Sequence, residues 1–534
     1  MSDRQEGAAQ RLAALGLRSI PKILTLQDRN PHSPTYGCFD RNHWHLRITD
    51  FPSGMAQEFV LPLALAYSHP YPGNRFFQVP SIKDWIIAGI GFARESAHPD
   101  GSCDDYYPYE KAAGAAAFSL LAMTEALALL NIDPSPYADF LHRRALWLGH
   151  HKESGRLANH EALIANGLLK LAALTGETGL RDLAVSRVHR LLSWQSDEGW
   201  FYEYQGCDPG YLTLTLANMA EIDAAAPELK LRGPMEKAVR FLHALQPPDG
   251  WLGGEWTSRN TNNYFPHGFE LISDWCPEAQ DINTRAVDAL QDAPEYDDDH
   301  ILGHHSWSYL KAALHWRTDR RTPVRSSQDA YWPEAGLALT QAGPNTLLSA
   351  TRKGGTFRLY RGARLVHSDT GLSLLVRNGR RTHNFVCHLW NDGAEASVSG
   401  STVEVSGPMG RAKSSGMTPL KNIVLRLLML TAGRINPDLV RRILQRLLIT
   451  GEVSSPFRFR RSLRLDHDEL HVTDEIEGSG NIIAAGTGPA QTSIYTVMSR
   501  VYHSPQLQPW TDLTDQIKAD SKRMTLVRTI RTKA

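Results

Sequence analysis

The sequence lacks three features that would point to common classes of protein. Its five cysteines are scattered and form no CxxC pair, which argues against a disulfide framework and against a zinc ribbon. Lysine plus arginine and aspartate plus glutamate both number 57, so no charge imbalance attracts nucleic acid. No apolar run reaches about 18 residues, the length that a membrane-spanning helix needs. We expect reduced thiols and no nucleic-acid partner.

The length of 534 residues exceeds what one hydrophobic core usually organises, so it predicts two domains. The N-terminal stretch MSDRQEGAAQRLAALGL lacks the uninterrupted apolar segment of a secretory signal. We therefore expect a cytoplasmic location, with a periplasmic location as the alternative if the start of the chain is assigned wrongly.

Residues 80–315 repeat one pattern. Segments of helical period, such as AAGAAAFSLLAMTEALALL and EALIANGLLKLAALTGE, alternate with loops rich in glycine, aspartate and aromatic residues. Two of these loops, WQSDEGWFYEY (194–204) and LQPPDGWLGGEW (245–256), resemble each other closely. Repeated helical hairpins bury their apolar faces only against their neighbours, which favours a closed ring. The pattern predicts an α/α toroid over about residues 1–320, with an open helical solenoid as the alternative.

Residues 321–534 have a different pattern, in which short alternating stretches rich in valine, threonine and aromatic residues are separated by turn residues. This pattern predicts an antiparallel β-sandwich, so the fold class is α+β with two domains. Residues 418–449 interrupt it with a helical segment that has six basic residues and one acid, Asp438. Such a segment suits contact with a membrane surface or a partner. We favour the simpler interpretation, an insertion whose apolar side packs on the sheet.

An amide and an imidazole stand side by side at the start of one predicted helix, in ESGRLANHEALIANGLL (153–169). In a structural interpretation Asn159 is the N-cap and His160 a first-turn residue. In a functional interpretation the two side chains and the N–H groups of the helix N-terminus receive an anion such as a carboxylate. The sequence is compatible with both.

Two further loops concentrate polar and aromatic residues at helix starts. In GWFYEYQGCDPGYLTLTL the Asp-Pro-Gly turn places Tyr211 at the opening of the next helix. The loop GGEWTSRNTNNYFPHGFELI (253–272) is long and polar, and its Arg259 suits bidentate binding of a carboxylate or a sulfate. A ring brings such loops together at one end. The further candidates for substrate binding are Glu110, Trp200, Glu203, Asp208, Tyr264 and Glu270.

An Asn-His pair, then a tyrosine about fifty residues later, on a helical domain followed by a β-rich one, resembles the heparinase II/III-like and alginate-lyase-like polysaccharide lyases. DGSCDDYYPYEKAAGAAAF, DPGYLTLTLANMAE and SRNTNNYFPHGFE are similar to segments of a branch of that superfamily found with exopolysaccharide genes. The resemblance implies an α/α toroid and an antiparallel β-sandwich. It implies that Asn159 and His160 neutralise a uronate carboxylate and that Tyr211 is the catalytic tyrosine.

The chemistry of such a lyase explains these residue types. The C5 proton of a uronate is acidic enough to be removed only when the adjacent carboxylate is neutralised by donors such as Asn, His or Arg. A tyrosine or histidine takes this proton, and a tyrosine can protonate the leaving oxygen. No metal or cofactor is required. We therefore predict a lyase that cleaves a uronate-containing polysaccharide or oligosaccharide by β-elimination.

One segment departs from the pattern of the lyases. They usually carry an HxHxD-type segment early in the β domain, whereas LVHSDTGLSLLV has only His367 and Asp369. The candidates to replace the second histidine are His267, which we also assign to the catalytic set, His383 and His388.

Other functions are compatible with the sequence. One is a non-catalytic glycan-binding component of exopolysaccharide biosynthesis, in which residues 418–449 contact a membrane or a partner. Another is a toroidal glycoside hydrolase, which needs two carboxylates at the bond, from Glu110, Glu203, Asp208 and Glu270. A terpene-cyclase-like toroid is disfavoured, because the sequence has no DxDD-type motif. The sequence does not predict the oligomeric state.

Overall fold

The computed structural model describes residues 2–153, 155–290, 295–296, 301–325, 329–412, 418–436, 440, 455–488, 501–502, 507–517 and 522–533. The helices of the first region are α1 (Ser2–Arg18), α2 (Ile20–Leu26), α3 (Arg41–Trp44), α4 (Val60–Ser68), α5 (Pro80–Ser96), α6 (Ala113–Leu129), α7 (Ala138–His150), α8 (Ala158–Thr175), α9 (Gly179–Leu192), α10 (Pro209–Ala225), α11 (Arg232–Leu245), α12 (His267–Ile272), α13 (Pro277–Ala289) and α14 (Ile301–His315). A small hairpin, β1 (Tyr202–Glu203) and β2 (Gly206–Cys207), lies between α9 and α10.

Six of these helices form a closed inner ring. The order of packing is α4, α6, α8, α10, α12 and α14, and α14 packs back on α4. Helices α5, α7, α9, α11 and α13 pack outside them, and α1 completes the outer layer against α13 and α14. A helix covered on all sides is expected to be apolar all round, and α6, with the sequence AGAAAFSLLAMTEALAL, is buried over most of its surface. The closed ring confirms the predicted toroid and excludes the open solenoid.

The two similar loops have the same construction. In each, a glutamine after an outer helix donates from Nε2 to the carbonyl of the loop glycine, Gln195 to Gly199 at 2.9 Å and Gln246 to Gly250 at 2.8 Å. The same nitrogen donates to a carbonyl of the next outer helix, α11 and α13 respectively. Both glycines have positive φ, and a Cβ at either would lie 2.5 Å from a carbonyl oxygen. The repeat therefore joins successive outer helices.

The second region consists of antiparallel strands. They are β4 (Ala330–Trp332), β5 (Leu337–Ala342), β6 (Asn345–Ala350), β7 (Thr356–Arg361), β8 (Arg364–Asp369), β9 (Ser373–Asn378), β10 (Arg381–Val386), β11 (Glu395–Ser399), β12 (Thr402–Pro408), β13 (Gly410–Ala412), β14 (Phe457–Leu465), β15 (Glu469–Gly478), β16 (Asn481–Thr487), β18 (Thr511–Asp512) and β19 (Arg523–Arg531), and β17 (Val501–Tyr502) pairs with β3 (Glu295–Tyr296). The five-stranded sheets have the orders β4-β5-β6-β7-β8, β13-β10-β9-β16-β18 and β11-β12-β14-β15-β19.

The sheet of β4 to β8 lies between the toroid and the rest of the β region. Successive residues of a strand point to opposite faces. On β6, Leu348 joins the core of the toroid and Leu347 joins the core of the β region. On β7, Tyr360 and Leu359 divide in the same way. Burial of both faces fixes the position of the β region against the ring.

The predicted helical insertion lies between β13 and β14. Its described part is α15 (Pro419–Leu428), continued by a π-helical turn (Met429–Gly433), and most of residues 437–449 lie outside the described residues. The prediction that its apolar side packs on the sheet is wrong for α15, which buries none of its residues, although Met429 of the π-helical turn is buried. No helix among the described residues is long and apolar enough to span a bilayer.

Candidate active site

The Asn-His pair lies at the start of the inner helix α8. The helix begins at Ala158 with Leu157 at the N-cap, so Asn159 is its second residue and not the cap of the structural interpretation. Asn159 is fully buried, and its Nδ2 donates to Glu203 Oε2 at 2.7 Å. Its Oδ1 has no hydrogen-bond partner in the described part of the chain. A buried amide oxygen without a partner destabilises a fold, so it calls for a functional explanation.

The hairpin of β1 and β2 brings Glu203 to α8. Leu157 pairs with Glu203 in an antiparallel bridge, which fixes the hairpin against the helix start. Glu203 is 2% exposed, and burial raises the pKa of its carboxyl group, although the charges of Arg259 and His160 offset part of the effect. Glu203 accepts from the side chains of Asn159 and Arg259 and so orients them.

Asp208 organises the loop that carries Arg259. It accepts from Tyr211 N at 3.0 Å and so caps the inner helix α10. It also accepts from the hydroxyls of Thr257 at 2.7 Å and Thr261 at 2.6 Å, and from Arg259 N at 3.3 Å. These four donors occupy Asp208, so its role is to position Arg259 and Tyr211 and not to bind substrate as predicted.

The guanidinium group of Arg259 connects Glu203 to two tyrosines. Its Nη1 donates to Glu203 Oε1 at 2.9 Å, and its Cζ lies 4.6 Å from the ring centroid of Tyr204 and 4.7 Å from that of Tyr211. Tyr211 is half-buried. Burial raises the pKa of its phenol, and the charge of Arg259 offsets only part of the rise. The phenol of Tyr211 is therefore protonated at neutral pH.

The surroundings of His160 favour its protonated, positively charged form. Its Nδ1 lies 2.6 Å from Glu153 Oε2. Burial lowers the pKa of His160, but the attraction of Glu153 and Glu203 outweighs burial, and the net pKa is raised. With Nδ1–H donating to Glu153, the imidazolium keeps Nε2–H for another acceptor. Gly114 leaves room for the ring, since a Cβ there would lie 2.8 Å from His160 Cε1.

Hydrogen bonds, a ring contact and the charge interaction between His160 and Glu203 connect five side chains at the ring end that faces the β region. We call them the Asn159 cluster: Asn159, His160, Glu203, Tyr211 and Arg259. Lys353 of the β region donates from Nζ to the carbonyls of Glu255 at 2.6 Å and Thr257 at 2.7 Å, in the loop that carries Arg259. Trp390 packs on the hairpin, since a Cβ at Gly206 would lie 2.2 Å from its indole. Both regions therefore shape the site.

A buried ion pair fastens the two regions beneath this loop. Arg358 donates from Nε and Nη2 to the two oxygens of Glu255, each at 2.9 Å. Burial raises the pKa of Glu255, but Arg358 outweighs burial and brings the pKa to about 2. The carboxylate is ionised at neutral pH, so the pair holds the Arg259 loop to the β region.

The structure does not bring His267 to the Asn159 cluster. His267 is 1% exposed, its Nδ1 lies 2.8 Å from Ser308 Oγ, and its Nε2 lies 3.7 Å from Glu221 Oε1. Burial lowers its pKa to about 3. His267 lies away from the cluster because α12 starts against the middle of α10, where a Cβ at Gly268 would lie 2.3 Å from Ala217 Cα. The catalytic role predicted for His267 lacks the contact that it requires.

His267 belongs to a second buried group on the inner helices. We call it the Glu221 cluster: Glu125, Lys170, Glu221, His267 and Lys311. Each lysine contacts both carboxylates, at N–O distances between 2.7 and 3.2 Å. Its lysines and carboxylates lie in the second halves of α6, α8, α10 and α14, and His267 opens the short helix α12, whereas Asn159 and Tyr211 lie in the first turns of their helices.

Two aromatic residues predicted to bind substrate are packed in the interior. Trp200 is fully buried, and its Nε1 donates to Glu198 Oε2 at 2.9 Å. Tyr264 is also fully buried, and its hydroxyl donates to Asn283 Oδ1. Burial of their large apolar surface explains both positions.

Two carboxylates predicted to bind substrate hold local structure instead. Glu110 accepts from the backbone N–H of Tyr106 at 2.7 Å, within its own loop. Glu270 accepts twice from Arg320 Nη1, each at 2.8 Å, and anchors the segment that follows α14. A buried carboxylate with such partners is already stabilised.

The LVHSDTG segment lies on β8, and Asp369 is wholly buried there. It pairs with Arg461 at 3.0 Å and Arg528 at 2.5 Å inside the β region. His367 is half-buried, and burial lowers its pKa. Asp369 therefore stabilises the β core.

The other two candidate histidines differ. His383 lies 2.5 Å from Arg411 on the neighbouring strand. His388 is 3% exposed, and neither ring nitrogen has a hydrogen-bond partner among the residues that the structure describes. Burial, together with the charge of Lys353, lowers the pKa of His388 to about 3. It is a neutral imidazole near the Lys353 contact.

Sequence reasoning assigned no role to three residues of the site. Glu153 lies seven positions before His160, and a carboxylate so close to a candidate histidine was a usable signal. Tyr204, under the Arg259 guanidinium, lies in the candidate loop GWFYEYQGCDPGYLTLTL. Lys353 had no local signal, because its contacts are about a hundred positions away. Within the described ranges, no group of three or more His, Cys, Asp or Glu side chains is arranged to hold a metal ion.

No family model and no curated protein matches the sequence, but solved structures are similar to it. A chondroitin AC lyase from Streptomyces coelicolor A3, in complex with chondroitin sulphate, has a TM-score of 0.56 and 10% identity over 98% of this chain and 79% of its own. A xanthan lyase from Paenibacillus has a TM-score of 0.53 and 12% identity over 91% of this chain. A heparan sulfate lyase from Pedobacter heparinus has a TM-score of 0.42 and 11% identity over 90% of this chain and 74% of its own.

The first two likenesses confirm the architecture that the resemblance implied, a toroid followed by antiparallel sheets. The chain therefore has the fold of the toroidal polysaccharide lyases. At 10% and 12% identity the likeness shows the fold alone. The chain spans 47% of the length of the xanthan lyase, about half.

Proposed function

We propose that the protein is a polysaccharide lyase that cleaves a uronate-containing glycan by metal-independent β-elimination at the Asn159 cluster. One observation carries the proposal. An amide, an imidazole that favours its cationic form and a guanidinium converge around Glu203, and the guanidinium contacts the half-buried Tyr211. These are the donor types that neutralise a uronate carboxylate, beside a residue able to move a proton.

Within the part of the chain that the structure describes, the donors of the cluster are only partly used. The amide nitrogen of Asn159 has two hydrogens and gives one to Glu203. Arg259 donates to Glu203 through Nη1, which leaves the other N–H groups of its guanidinium for a ligand. His160 keeps Nε2–H because Glu153 takes Nδ1–H. A substrate carboxylate would receive these donors, which makes its C5 proton more acidic.

Tyr211 would carry out the proton transfers of the reaction. Because its pKa is raised, its hydroxyl is protonated and can donate its proton to the leaving 4-oxygen, and the phenol oxygen, which gains phenolate character as that proton leaves, receives the C5 proton. One phenol then balances both transfers, as the C4–O4 bond breaks and the C4–C5 double bond forms. The Arg259 charge, 4.7 Å from the ring, stabilises negative charge that develops on the phenol oxygen.

The hydrolase alternative has less support. It requires two carboxylates placed at the bond, one as acid and one as base or nucleophile. Asp208 and Glu270 are committed to hydroxyl groups and to an arginine, and Glu110 accepts backbone N–H groups. A glycan-binding protein without catalysis uses the same donors and is separated from a lyase by experiment.

The test is to incubate the protein with chondroitin sulphate, heparan sulfate, xanthan, alginate and polygalacturonate. We expect at least one polymer to yield the unsaturated uronate, detected by its ultraviolet absorbance. New reducing ends that appear without this absorbance indicate hydrolysis instead, because both reactions release a reducing end and only elimination leaves an unsaturated non-reducing end. Binding without product from all five indicates the glycan-binding alternative.

A further inference from the structure

Exposed large apolar side chains are concentrated in two segments that are joined by an ion pair. Among the residues that the structure describes, half of the exposed large apolar side chains lie there. Residues 419–436 contribute Leu420, Ile423, Val424, Leu427, Leu430 and Ile435, and the loop after α3 contributes Leu46 and Ile48. Exposed apolar side chains concentrated in this way mark an interaction site.

The attachment of α15 to the toroid directs its apolar face outward. Arg426 pairs with Asp50 and lies over the ring of Phe51, with Cζ 5.8 Å from the centroid. Met429, on the same side of the helix, is fully buried. The opposite side repeats apolar residues at the spacing of one helix face, from Leu420 through Leu427 at 71% to 56% exposure.

The same segment is basic. Residues 418–436 contain Lys421, Arg426 and Arg434 and no acidic residue, within a chain whose formal net charge is zero. The loop after α3 adds Arg47, which stands between Leu46 and Ile48 and is exposed. Asp50, four residues after Leu46, joins this loop to α15 through its ion pair with Arg426. Apolar and basic groups therefore occur together on both segments.

We propose that α15 and the loop after α3 form a docking surface for the interface of an anionic lipid bilayer. The apolar side chains fit the boundary between headgroups and acyl chains, and the basic ones fit anionic headgroups. A polysaccharide would offer charge but little apolar surface. An apolar groove of a protein would offer apolar surface but little charge. The inference is independent of the reaction at the Asn159 cluster.

Vesicle flotation tests the surface directly. Full-length protein is mixed with phosphatidylcholine vesicles with or without phosphatidylglycerol. We expect wild type to float with the phosphatidylglycerol vesicles, less so at high salt. The variant Ile423→Ser/Leu427→Ser should bind about tenfold more weakly or worse, since it removes two large side chains from the interface. The matched control Leu146→Ser/Val527→Ser changes two exposed aliphatic residues elsewhere and should bind as wild type does.

Thermal melting of each variant shows whether it is folded. A second variant, Lys421→Gln/Arg434→Gln, removes two basic side chains and leaves the apolar face intact. We expect this charge variant to lose the preference for phosphatidylglycerol. No flotation of wild type, or equal flotation of wild type and Ile423→Ser/Leu427→Ser, overturns the proposal. Light scattering that shows a wild-type dimer, monomeric in that variant and without vesicle binding, assigns the surface to a second copy and also overturns it.

Discussion

Two buried groups of polar and charged residues lie in the toroid, and they differ in how completely their charges are matched. In the Glu221 cluster, two lysines contact two carboxylates, and His267 is neutral because burial lowers its pKa to about 3. In the Asn159 cluster, the one carboxylate, Glu203, accepts from both Asn159 and Arg259, Asn159 Oδ1 has no described partner, and Tyr211 is half-buried.

The difference distinguishes a structural cluster from a site that has capacity for a ligand. A buried network whose charges are all paired stabilises one arrangement of helices and has nothing left to give a ligand. Donors in excess of acceptors at the end of the ring favour an arriving anion. If this comparison holds, substitutions in the two clusters should separate into losses of catalysis and losses of stability.

The largest effect should come from Tyr211→Phe. We expect kcat to fall on the order of a thousandfold, while the melting temperature and the affinity for substrate change little, because only the hydroxyl that moves the proton is lost. Tyr264→Phe is the matched control. It removes a buried hydroxyl that bonds to Asn283, so it should lower stability by about 1 kcal/mol and leave kcat unchanged. Wild-type kcat in Tyr211→Phe would remove Tyr211 from the reaction.

Asn159→Ala should weaken stabilisation of the enolate-like state. By comparison with loss of an oxyanion-hole donor, we expect about 3 kcal/mol, or roughly a hundredfold in kcat/KM. The effect should not add to that of Tyr211→Phe, since both residues serve one step. Steady-state kinetics of the two single variants and the double variant measure this. Full additivity would show that the two residues act on separate steps.

Glu221→Gln should affect the fold and not the chemistry. Removing one carboxylate leaves Lys170 and Lys311 with a single partner, so we expect a loss of about 3 kcal/mol in the free energy of unfolding. Urea unfolding measures the loss, and kcat is compared at a temperature where the variant is folded. A large fall in kcat in fully folded Glu221→Gln would erase the distinction between the clusters.

The smallest effects concern pH and the two histidines, whose pKa values shift in opposite directions. His160 has a raised pKa, so its contribution to stability is present below 6.5 and is lost as pH rises through the folded value. His267 has a folded pKa of about 3, so the fold loses stability as pH falls below 6.5, because the unfolded chain takes up the proton.

Urea unfolding from pH 8 to 5 measures these contributions. The difference in unfolding free energy between wild type and His160→Gln should grow toward low pH. In His267→Gln, stability should fall less toward low pH than it does in wild type. Parallel pH profiles for wild type and both variants would contradict the assignment.

The sequence was most informative where structure repeats. Helical period and the two Gln-to-Trp loops predicted the ring, because each hairpin packs only on its neighbours, and the contacts of Gln195 and Gln246 explain the repeat. The convergence of Asn159, Tyr211 and Arg259 followed from the same regularity, since loops at equivalent helix starts meet at one ring end.

Irregular elements were beyond sequence reasoning. Helix α12 has only six residues, so a helix start did not place His267 at the ring end. Lys353 contacts a loop about a hundred positions earlier in the chain, a pairing that no local pattern reports. The amphipathic period of α15 was clear, but periodicity does not say whether an apolar face packs or stays exposed.

The most direct test of the Asn159 cluster as a carboxylate site uses the Tyr211→Phe variant, which should bind without cleaving. Calorimetry compares its affinity for each of the five uronate polymers before and after chemical reduction of their carboxyl groups. We expect at least one native polymer to bind, its reduced form to bind far more weakly, and Asn159→Ala in the same background to weaken only the native polymer. Equal affinity for native and reduced polymers would contradict carboxylate recognition by the cluster.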